Sequence, residues 1–282
     1  MPEPVVILGL GFTTQRLARS LRQRGVPVYA IVRDPDRFAE LALLGVQLCA
    51  LNAGDLPSGA ALVHSVPPLA EPENSALRNL IRESAPRRIL YISSTSVYGA
   101  QSDVDADTGA APNEEKGRAR VVEEDWIGSF SDWQCLILRS AAIYGPGRGV
   151  HVRLREGALL RGTGRIVSRI HVDDLVAILE AGITSDITGA FPVADEHPAD
   201  SAEVAVWCAS RMGLVLPDGD ETFHTQGRRV DGKRIRELLG VELKYASYQA
   251  GIEASLLEEK AGDKIACPTR FSKPRPLRAS SR

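Results

Sequence analysis

The sequence predicts a doubly wound α/β protein, in which helices cover both faces of a parallel sheet. Three observations support this prediction: apolar runs of strand length without alternation, amphipathic segments between them, and a glycine-rich turn directly after the first run. Fully apolar strands are expected where both faces of a sheet are buried. The 282 residues suit such a domain of about 200 residues together with a smaller lobe.

The predicted elements alternate between strand and helix in chain order. Gly25 ends the first helix, and Pro67 stops the fourth strand. A loop at 52–60 is too short for the usual crossover helix between the third and fourth strands. Strands are predicted at 5–8, 28–32, 46–51, 62–66, 88–93, 134–139 and 190–193, and helices at 15–24, 38–44, 73–84, 112–130, 171–183 and 201–212.

The composition argues against nucleic-acid, membrane and metal partners. The 34 Lys and Arg residues nearly balance 36 Asp and Glu residues, so no global field favours nucleic acid or an anionic membrane. The four cysteines lack metal-ligand spacing and are expected to be reduced thiols of a cytoplasmic protein. We expect no signal peptide, and no apolar run approaches the roughly 20 residues that span a bilayer.

The turn after the first strand predicts dinucleotide binding. Gly9 permits the tight turn, and Gly11 lets the backbone approach a pyrophosphate at the positive end of the following helix. Phe12 and Thr13 belong to the same turn. Thr14 stands where a third glycine is usual, which implies a wider approach or a hydroxyl contact with phosphate. The alternative is a turn that only connects two elements.

The end of the second strand predicts the type of cofactor. NAD-binding proteins place an acid at this position for the ribose 2′-hydroxyl, but the position is Val32 in this chain, and Arg33 follows it. A guanidinium fits a 2′-phosphate through charge-assisted hydrogen bonds. We therefore predict NADP(H) over NAD(H). The alternative is that Arg33 is a solvated cation paired with Asp34 or Asp36.

Three further motifs follow the glycine turn in order: ISSTSVYG at 92–99, LRSAAIYGPG at 138–147 and RIHVDDL at 169–175. With them, the chain resembles the extended short-chain dehydrogenase/reductase family, the NAD-dependent epimerase/dehydratase group, over about 5–257. The resemblance implies a Rossmann domain at 1–144 and a small substrate lobe at 145–258, interleaved with the last Rossmann elements at about 171–193. Residues 259–282 are predicted to be a disordered basic tail.

The resemblance also implies catalytic residues. Ser94 stands in the position of the family hydroxyl that orients a substrate oxygen, and Thr95 is a second candidate for that role. Strand-end capping of the backbone is the alternative for both. The family's YxxxK tyrosine and lysine correspond to Lys116 and Arg120, which predicts an atypical branch.

A replacement acid is therefore needed. Lys116 is the candidate if burial near Arg118 or Arg120 favours its neutral form, and an exposed helix-surface lysine is the alternative. Tyr98 is a second candidate. Further cofactor contacts are predicted at Asn52, Ser65, Val66, Pro67, Ser93, Arg120 and Ser140.

Two functions follow from these observations. The first is an NAD(P)-dependent epimerase, dehydratase or reductase acting on a sugar-nucleotide-like or other hydroxylated small molecule. The second is a catalytically silent NADP(H)-binding sensor or regulatory protein, which the missing tyrosine favours. Arg228 and Arg229 are expected either to contact an anionic substrate or to form salt bridges between lobes. A homodimer is a further expectation.

Overall fold

The computed structural model describes residues 2–50, 56–157, 161–216, 220–223 and 227–265. Its strands are β1 (Val5–Leu8), β2 (Val28–Ile31), β3 (Gln47–Cys49), β4 (Ala61–His64), β5 (Arg88–Ser94), β6 (Asp103–Val104), β7 (Gln134–Ser140), β8 (Ala142–Tyr144), β9 (Arg161–Thr163), β10 (Ile166–Val167), β11 (Arg169–His171), β12 (Gly189–Val193), β13 (Ala199–Asp200), β14 (Asp220–Phe223) and β15 (Arg229–Val230). Its helices are α1 (Phe12–Gln23), α2 (Ala39–Leu43), α3 (Glu73–Glu83), α4 (Glu115–Gly128), α5 (Val150–Arg155), α6 (Val172–Thr184), α7 (Ser201–Met212), α8 (Lys233–Leu239) and α9 (Tyr248–Ile265), with 3-10 turns at Pro35–Phe38 and Thr95–Tyr98.

Seven strands form one sheet in the order β12-β7-β5-β4-β1-β2-β3. Every pairing within this sheet is parallel. The direction of strand order reverses between β1 and β4, and such a reversal opens a crevice at the carboxyl ends of the strands. The prediction of a doubly wound Rossmann fold is confirmed.

Two apolar cores lie on the two faces of the sheet. Ile7 packs with Leu17 of α1 and Leu175 of α6, whereas the next strand residue, Leu8, packs with Ile127 of α4 on the opposite face. Full burial of such a side chain contributes about 1.5–3 kcal/mol. Because alternate strand residues enter two cores, the strands are apolar throughout, as the sequence indicates.

The rest of the described chain contains four two-stranded ladders: β8 with β11, β10 with β13, β9 with β14, and β6 with β15. The β6–β15 ladder is parallel and pairs Asp103 with Arg229. It therefore joins the segment after β5 to a segment near the end of the chain. This junction forms one wall of the site described below.

The prediction of a disordered tail from residue 259 is wrong for its first residues. Helix α9 continues to Ile265, and the Glu259 side chain accepts a hydrogen bond from the amide of Gly147 at 2.7 Å. The same carboxylate lies 3.0 Å from Nε2 of His151. These tertiary contacts hold a polar helix end that has little apolar content of its own. Residues 266–282 lie outside the described residues.

Two further sequence expectations concern the described chain. No helix in the described ranges is long and apolar enough to cross a membrane. Cys49, Cys135 and Cys208 are free thiols, and Cys267 lies outside the described residues. The described part of the connection between β3 and β4, residues 56–60, contains no helix.

Candidate active site

A cleft of about 950 Å³ opens at the carboxyl ends of β1, β4, β5 and β7. It lies where the strand order reverses, which is the usual position of a ligand in a doubly wound sheet. The sequence-predicted residues that line it are Gly11, Phe12, Thr13, Thr14, Ser65, Ser93, Ser94, Thr95, Arg120 and Ser140. The topology thus brings the predicted cofactor turn and the predicted catalytic hydroxyls to one edge of the sheet.

The glycine turn is closed by its own threonine. The hydroxyl of Thr14 donates to the carbonyl oxygen of Gly9 at 2.7 Å and accepts from the amide of Gly11 at 2.9 Å. This hydroxyl is therefore engaged within the turn rather than offered to a phosphate. Gly9 has φ +83°, and an added Cβ would lie 2.9 Å from Cγ2 of Val66.

The loop after β4 supports the same turn. The Ser65 hydroxyl lies 3.0 Å from the carbonyl oxygen of Leu8 and 2.8 Å from that of Gly9, within donating distance of both. Val66 packs against Gly9, and Pro67 follows as an exposed residue. Of the three predicted contacts on this loop, Ser65 lines the cleft.

The hydroxyls at the end of β5 have different partners. Ser93 is buried and donates to Oε1 of Glu124 at 2.5 Å. Ser94 accepts from the amide of Ser96 at 3.2 Å and so caps the 3-10 turn that begins at Thr95. The capping role that the sequence left open for Ser94 is present, and its own proton is not used by that contact.

Lys116 lies outside the cleft. It is exposed in the first turn of α4 and is not among the described residues that line the cleft. The helix itself packs closely, since a Cβ added to Gly117 would lie 2.5 Å from the carbonyl oxygen of Ser96. An exposed helix-surface lysine is the alternative that the sequence left open for Lys116. Its catalytic role stays a prediction.

Arg120 occupies the position of the family lysine and lines the cleft. Its Nη1 donates to the hydroxyl of Tyr91 and to the carbonyl oxygen of Ile92, each at 3.3 Å. Burial raises the pKa of Tyr91 to about 12, so this phenol remains protonated at neutral pH. The Arg120 guanidinium therefore lies between α4 and the end of β5.

Tyr98 does not have the position of a replacement acid. Its ring is fully buried between the guanidinium groups of Arg139, at 5.2 Å, and Arg228, at 6.0 Å. Burial raises the pKa of the phenol, whose oxygen lies 3.5 Å from Nη1 of Arg139. Tyr98 is also absent from the described cleft lining.

Arg228 binds the backbone of the cleft wall, and its contact with an anionic substrate stays a prediction. Its guanidinium donates to the carbonyl oxygens of Thr95 at 2.5 Å, Gln101 at 3.0 Å and Gly99. All three acceptors belong to the segment between β5 and β6. Arg228 thus binds backbone rather than an acidic side chain, and it holds the wall of the cleft.

The remaining predicted cofactor residues are placed as follows. Arg33 is exposed two residues after the end of β2, and Asn52 lies outside the described residues. Ser140 is buried at the end of β7, lines the cleft and donates to the carbonyl oxygen of Ala141 at 3.1 Å.

Sequence reasoning missed five charged residues of the site. Glu114, Arg148 and Arg165 are exposed side chains on the cleft wall, and buried Glu124 forms an ion pair with the largely buried Arg139 beneath it at 2.8 Å. Arg139 lies inside the 138–147 motif, and Glu124 follows the YxxxK position by one helical turn. These positions within the motifs are the sequence features by which Arg139 and Glu124 could have been identified.

Comparison with known proteins gives the following relatives. No protein-family model matches the chain. The chain is similar to protein YeeZ of Escherichia coli (strain K12), with 28% identity over 264 residues that cover 86% of this chain and 96% of YeeZ. It is also similar to a 3-diazoavenalumate denitrifying reductase of Streptomyces sp, with 27% identity over 238 residues that cover 71% of this chain and 78% of that protein.

Solved structures share the fold over nearly the whole chain. A functionally unknown conserved protein from Silicibacter pomeroyi DSS matches with 31% identity and a TM-score of 0.79, covering 91% of this chain and 99% of that one. A putative NAD-dependent epimerase/dehydratase from Methylobacillus flagellatus has 22% identity and a TM-score of 0.74, covering 92% and 100%. MoeE5 in complex with UDP-glucose and NAD has 19% identity and a TM-score of 0.72, covering 93% and 100%.

Proposed function

We propose that this chain is a nicotinamide-dependent enzyme of the extended short-chain dehydrogenase/reductase family, to which its motifs and its fold are similar. The proposed reaction is hydride transfer, as in an epimerase, dehydratase or reductase, on a sugar-nucleotide-like or other hydroxylated small molecule. The observation that carries the proposal is the cleft, where the glycine turn and Ser94 lie at the same edge of the sheet.

The residues of the glycine turn fit a dinucleotide. A Cβ added to Gly11 would have only Oγ1 of Thr14 within 4.0 Å, so it would project into the open cleft where a pyrophosphate approaches. The first-turn amides of α1 have no partner within the helix and favour an anion. We assign NADP(H) over NAD(H), because exposed Arg33 follows β2 at the position suited to a 2′-phosphate. When bound, the nicotinamide supplies or accepts the hydride.

The chain's own residues are assigned to binding and orientation. Ser94 has a hydroxyl proton available to donate to a substrate oxygen, with Thr95 beside it. Arg148 and Arg165 add positive charge to the cleft wall and favour a substrate with an anionic group. These features support the sugar-nucleotide-like class, and MoeE5 is a protein of this fold found with UDP-glucose.

The test is NADPH oxidation across a panel of aldehydes, ketones and keto-sugar nucleotides. We expect turnover in the wild type and a roughly 10²-fold loss in Ser94→Ala, since one hydrogen-bond donor to the reacting oxygen is removed. Ser129→Ala, at the exposed carboxyl end of α4, is the matched control and should keep wild-type turnover. Unchanged turnover in Ser94→Ala would remove Ser94 from the mechanism.

The second candidate function is a silent NADP(H)-binding sensor. It is favoured by one observation: Lys116, at the position of the family tyrosine, is exposed outside the cleft. NADPH binding without turnover on any member of the panel would support this function over the enzyme.

A further inference from the structure

Two consecutive serines at the end of β5 have opposite hydrogen-bonding roles within the protein. The Ser93 hydroxyl donates to Oε1 of Glu124 at 2.5 Å, so its proton points into the protein. The Ser94 hydroxyl accepts from the amide of Ser96 at 3.2 Å, so its proton is free to point elsewhere. Both serines line the cleft. Ser93 therefore offers the cleft only lone pairs, while Ser94 offers a donor.

The contacts of Glu124 with Arg139 fix the direction of the hydrogen bond between Ser93 and Glu124. Nη2 of Arg139 lies 2.8 Å from Oε2 of Glu124, and Nε lies 3.3 Å and 3.2 Å from the two carboxylate oxygens. A guanidinium has only donors and a carboxylate only acceptors. Every hydrogen bond to the Glu124 carboxylate therefore has a fixed direction, and Ser93 must be the donor in its own. Glu124 and Ser93 are 4% and 3% exposed, so water does not compete freely for this bond.

Resting on the proposed function, we propose that Glu124 is a positioning residue that makes Ser93 a hydrogen-bond acceptor for an O–H or N–H group of the nicotinamide nucleoside. Such donors exist on both parts of that nucleoside, as ribose hydroxyls and as the carboxamide N–H. Ser94, with the opposite polarity, is left for the substrate oxygen. Two adjacent hydroxyls at one strand end thereby serve two different ligands.

A purely structural role for Glu124, anchoring α4 to the sheet, makes a different prediction. The neighbouring Glu123 provides the comparison. It is 2% exposed, it pairs with Arg78 at 2.7 Å, and its Oε1 lies 3.4 Å from Nε2 of His64. Glu123 thus matches Glu124 in residue type, helix and burial, but has no hydrogen bond to a cleft-lining hydroxyl.

The test is calorimetric titration of Glu124→Gln with three probes. Because Arg139 has only donors, the amide oxygen of the new side chain faces Arg139 and its NH₂ group faces Ser93, which releases the Ser93 proton toward the cleft. We expect NADPH to bind about tenfold more weakly, as for the loss of one hydrogen bond. Binding of 2′,5′-ADP, which lacks the nicotinamide half, should not change. The third probe is 2′-phospho-ADP-ribose. Its affinity for Glu124→Gln should be lower than for the wild type if a ribose hydroxyl is the donor to Ser93, and unchanged if the carboxamide is the donor.

Three further measurements decide the inference. Ser93→Ala should lose the same affinity for NADPH, and Ser93→Ala/Glu124→Gln should bind NADPH like Ser93→Ala alone, because Glu124 acts through Ser93. Glu123→Gln should bind all three probes like the wild type. Additive losses in the double variant, equal losses for 2′,5′-ADP, or the same loss in Glu123→Gln would overturn the inference.

The failure of the inference is distinguishable from that of the proposed function. A wild-type protein that binds none of the probes would refute the proposed function. Wild-type binding that is unchanged in both Glu124→Gln and Ser93→Ala would refute this inference alone. If Glu124→Gln does not fold, Ser93→Ala with the same three probes carries the test.

Discussion

The guanidinium of Arg228 donates to the carbonyl oxygen of Thr95 at 2.5 Å, and this bond joins residues that are 133 positions apart. The same group also binds the carbonyl oxygens of Gln101 and Gly99. A segment near the end of the chain thereby holds the turn that follows Ser94. The position of the predicted catalytic hydroxyl depends on this long-range contact as well as on its own strand.

Arg228→Met should therefore lower both turnover and stability. The variant keeps an unbranched, flexible side chain but leaves three carbonyl oxygens without their donor, and we expect a loss of about 2–4 kcal/mol in the free energy of unfolding. Urea unfolding measures this loss. Arg229→Met is the control, because Arg229 is exposed, and it should change stability by less than about 0.5 kcal/mol. Equal effects of the two variants would contradict the role of Arg228.

Gly11→Ala should weaken cofactor binding without loss of stability. Gly11 has φ −85°, which any residue adopts, and an added Cβ meets no protein atom closer than 4.0 Å. The methyl group would instead occupy the approach of the pyrophosphate, so NADPH affinity should fall at least about tenfold. Gly25→Ala should instead lower the stability and leave cofactor binding unchanged. An alanine at its φ of +76° costs about 1–2 kcal/mol of stability in thermal unfolding, yet Gly25 is not among the described residues that line the cleft.

Arg33→Glu should reverse the preference between the two dinucleotides. The substitution removes the proposed contact with the 2′-phosphate and places a carboxylate next to Val32, the position at which NAD-binding proteins bond the ribose hydroxyl. We expect NADPH to bind roughly 10- to 100-fold more weakly and NADH to bind several-fold more tightly, measured by fluorescence titration. Arg37→Glu, at a second exposed position nearby, should keep the wild-type order. Equal wild-type affinities for NADPH and NADH would defeat the cofactor assignment.

Arg120→Gln should reduce turnover more than Lys116→Gln. Arg120 lines the cleft and contacts the end of β5, whereas Lys116 is exposed outside it. The comparison is made by steady-state kinetics with NADPH and any substrate found in the panel. A larger loss in Lys116→Gln would instead support Lys116 as the replacement acid.

Asp195→Asn should stabilise the protein at high pH. Burial raises the pKa of Asp195 to about 7 from its usual 3.8, so the folded state retains a proton that the unfolded state releases near pH 4. Its stabilising contribution is full below about pH 4 and is lost as pH rises through 7. Wild type should therefore be less stable than Asp195→Asn by about 1–3 kcal/mol at pH 8, and similar to it near pH 4.5.

Urea unfolding at the two pH values checks this prediction. Burial lowers the pKa of His171 to about 4, and this group contributes the opposite pH dependence, present above pH 6.5 and lost on acidification. Because His171 is present in both proteins, its contribution cancels in the difference between their free energies of unfolding. Asp107→Asn, at an exposed position, should show no difference between the two pH values.

The sequence by itself determined the sheet, the glycine turn and the hydroxyl cluster. Each of these depends on local patterns, namely apolar runs, glycine spacing and consecutive residues at a strand end. The same local reasoning failed for 259–265, because the end of α9 is held by contacts with Gly147 and His151 rather than by its own apolar residues.

Only the tertiary structure decided what each polar group bonds. Ser93 and Glu124 are 31 residues apart, and no short spacing predicts that the serine donates to that carboxylate. Likewise, the phenol of Tyr98 is chemically able to act as an acid. Its ring, however, lies buried against the guanidinium groups of Arg139 and Arg228. A hydrogen bond has a direction and a range of about 3 Å, so its partners follow from the packing of distant segments rather than from neighbouring residues in the chain.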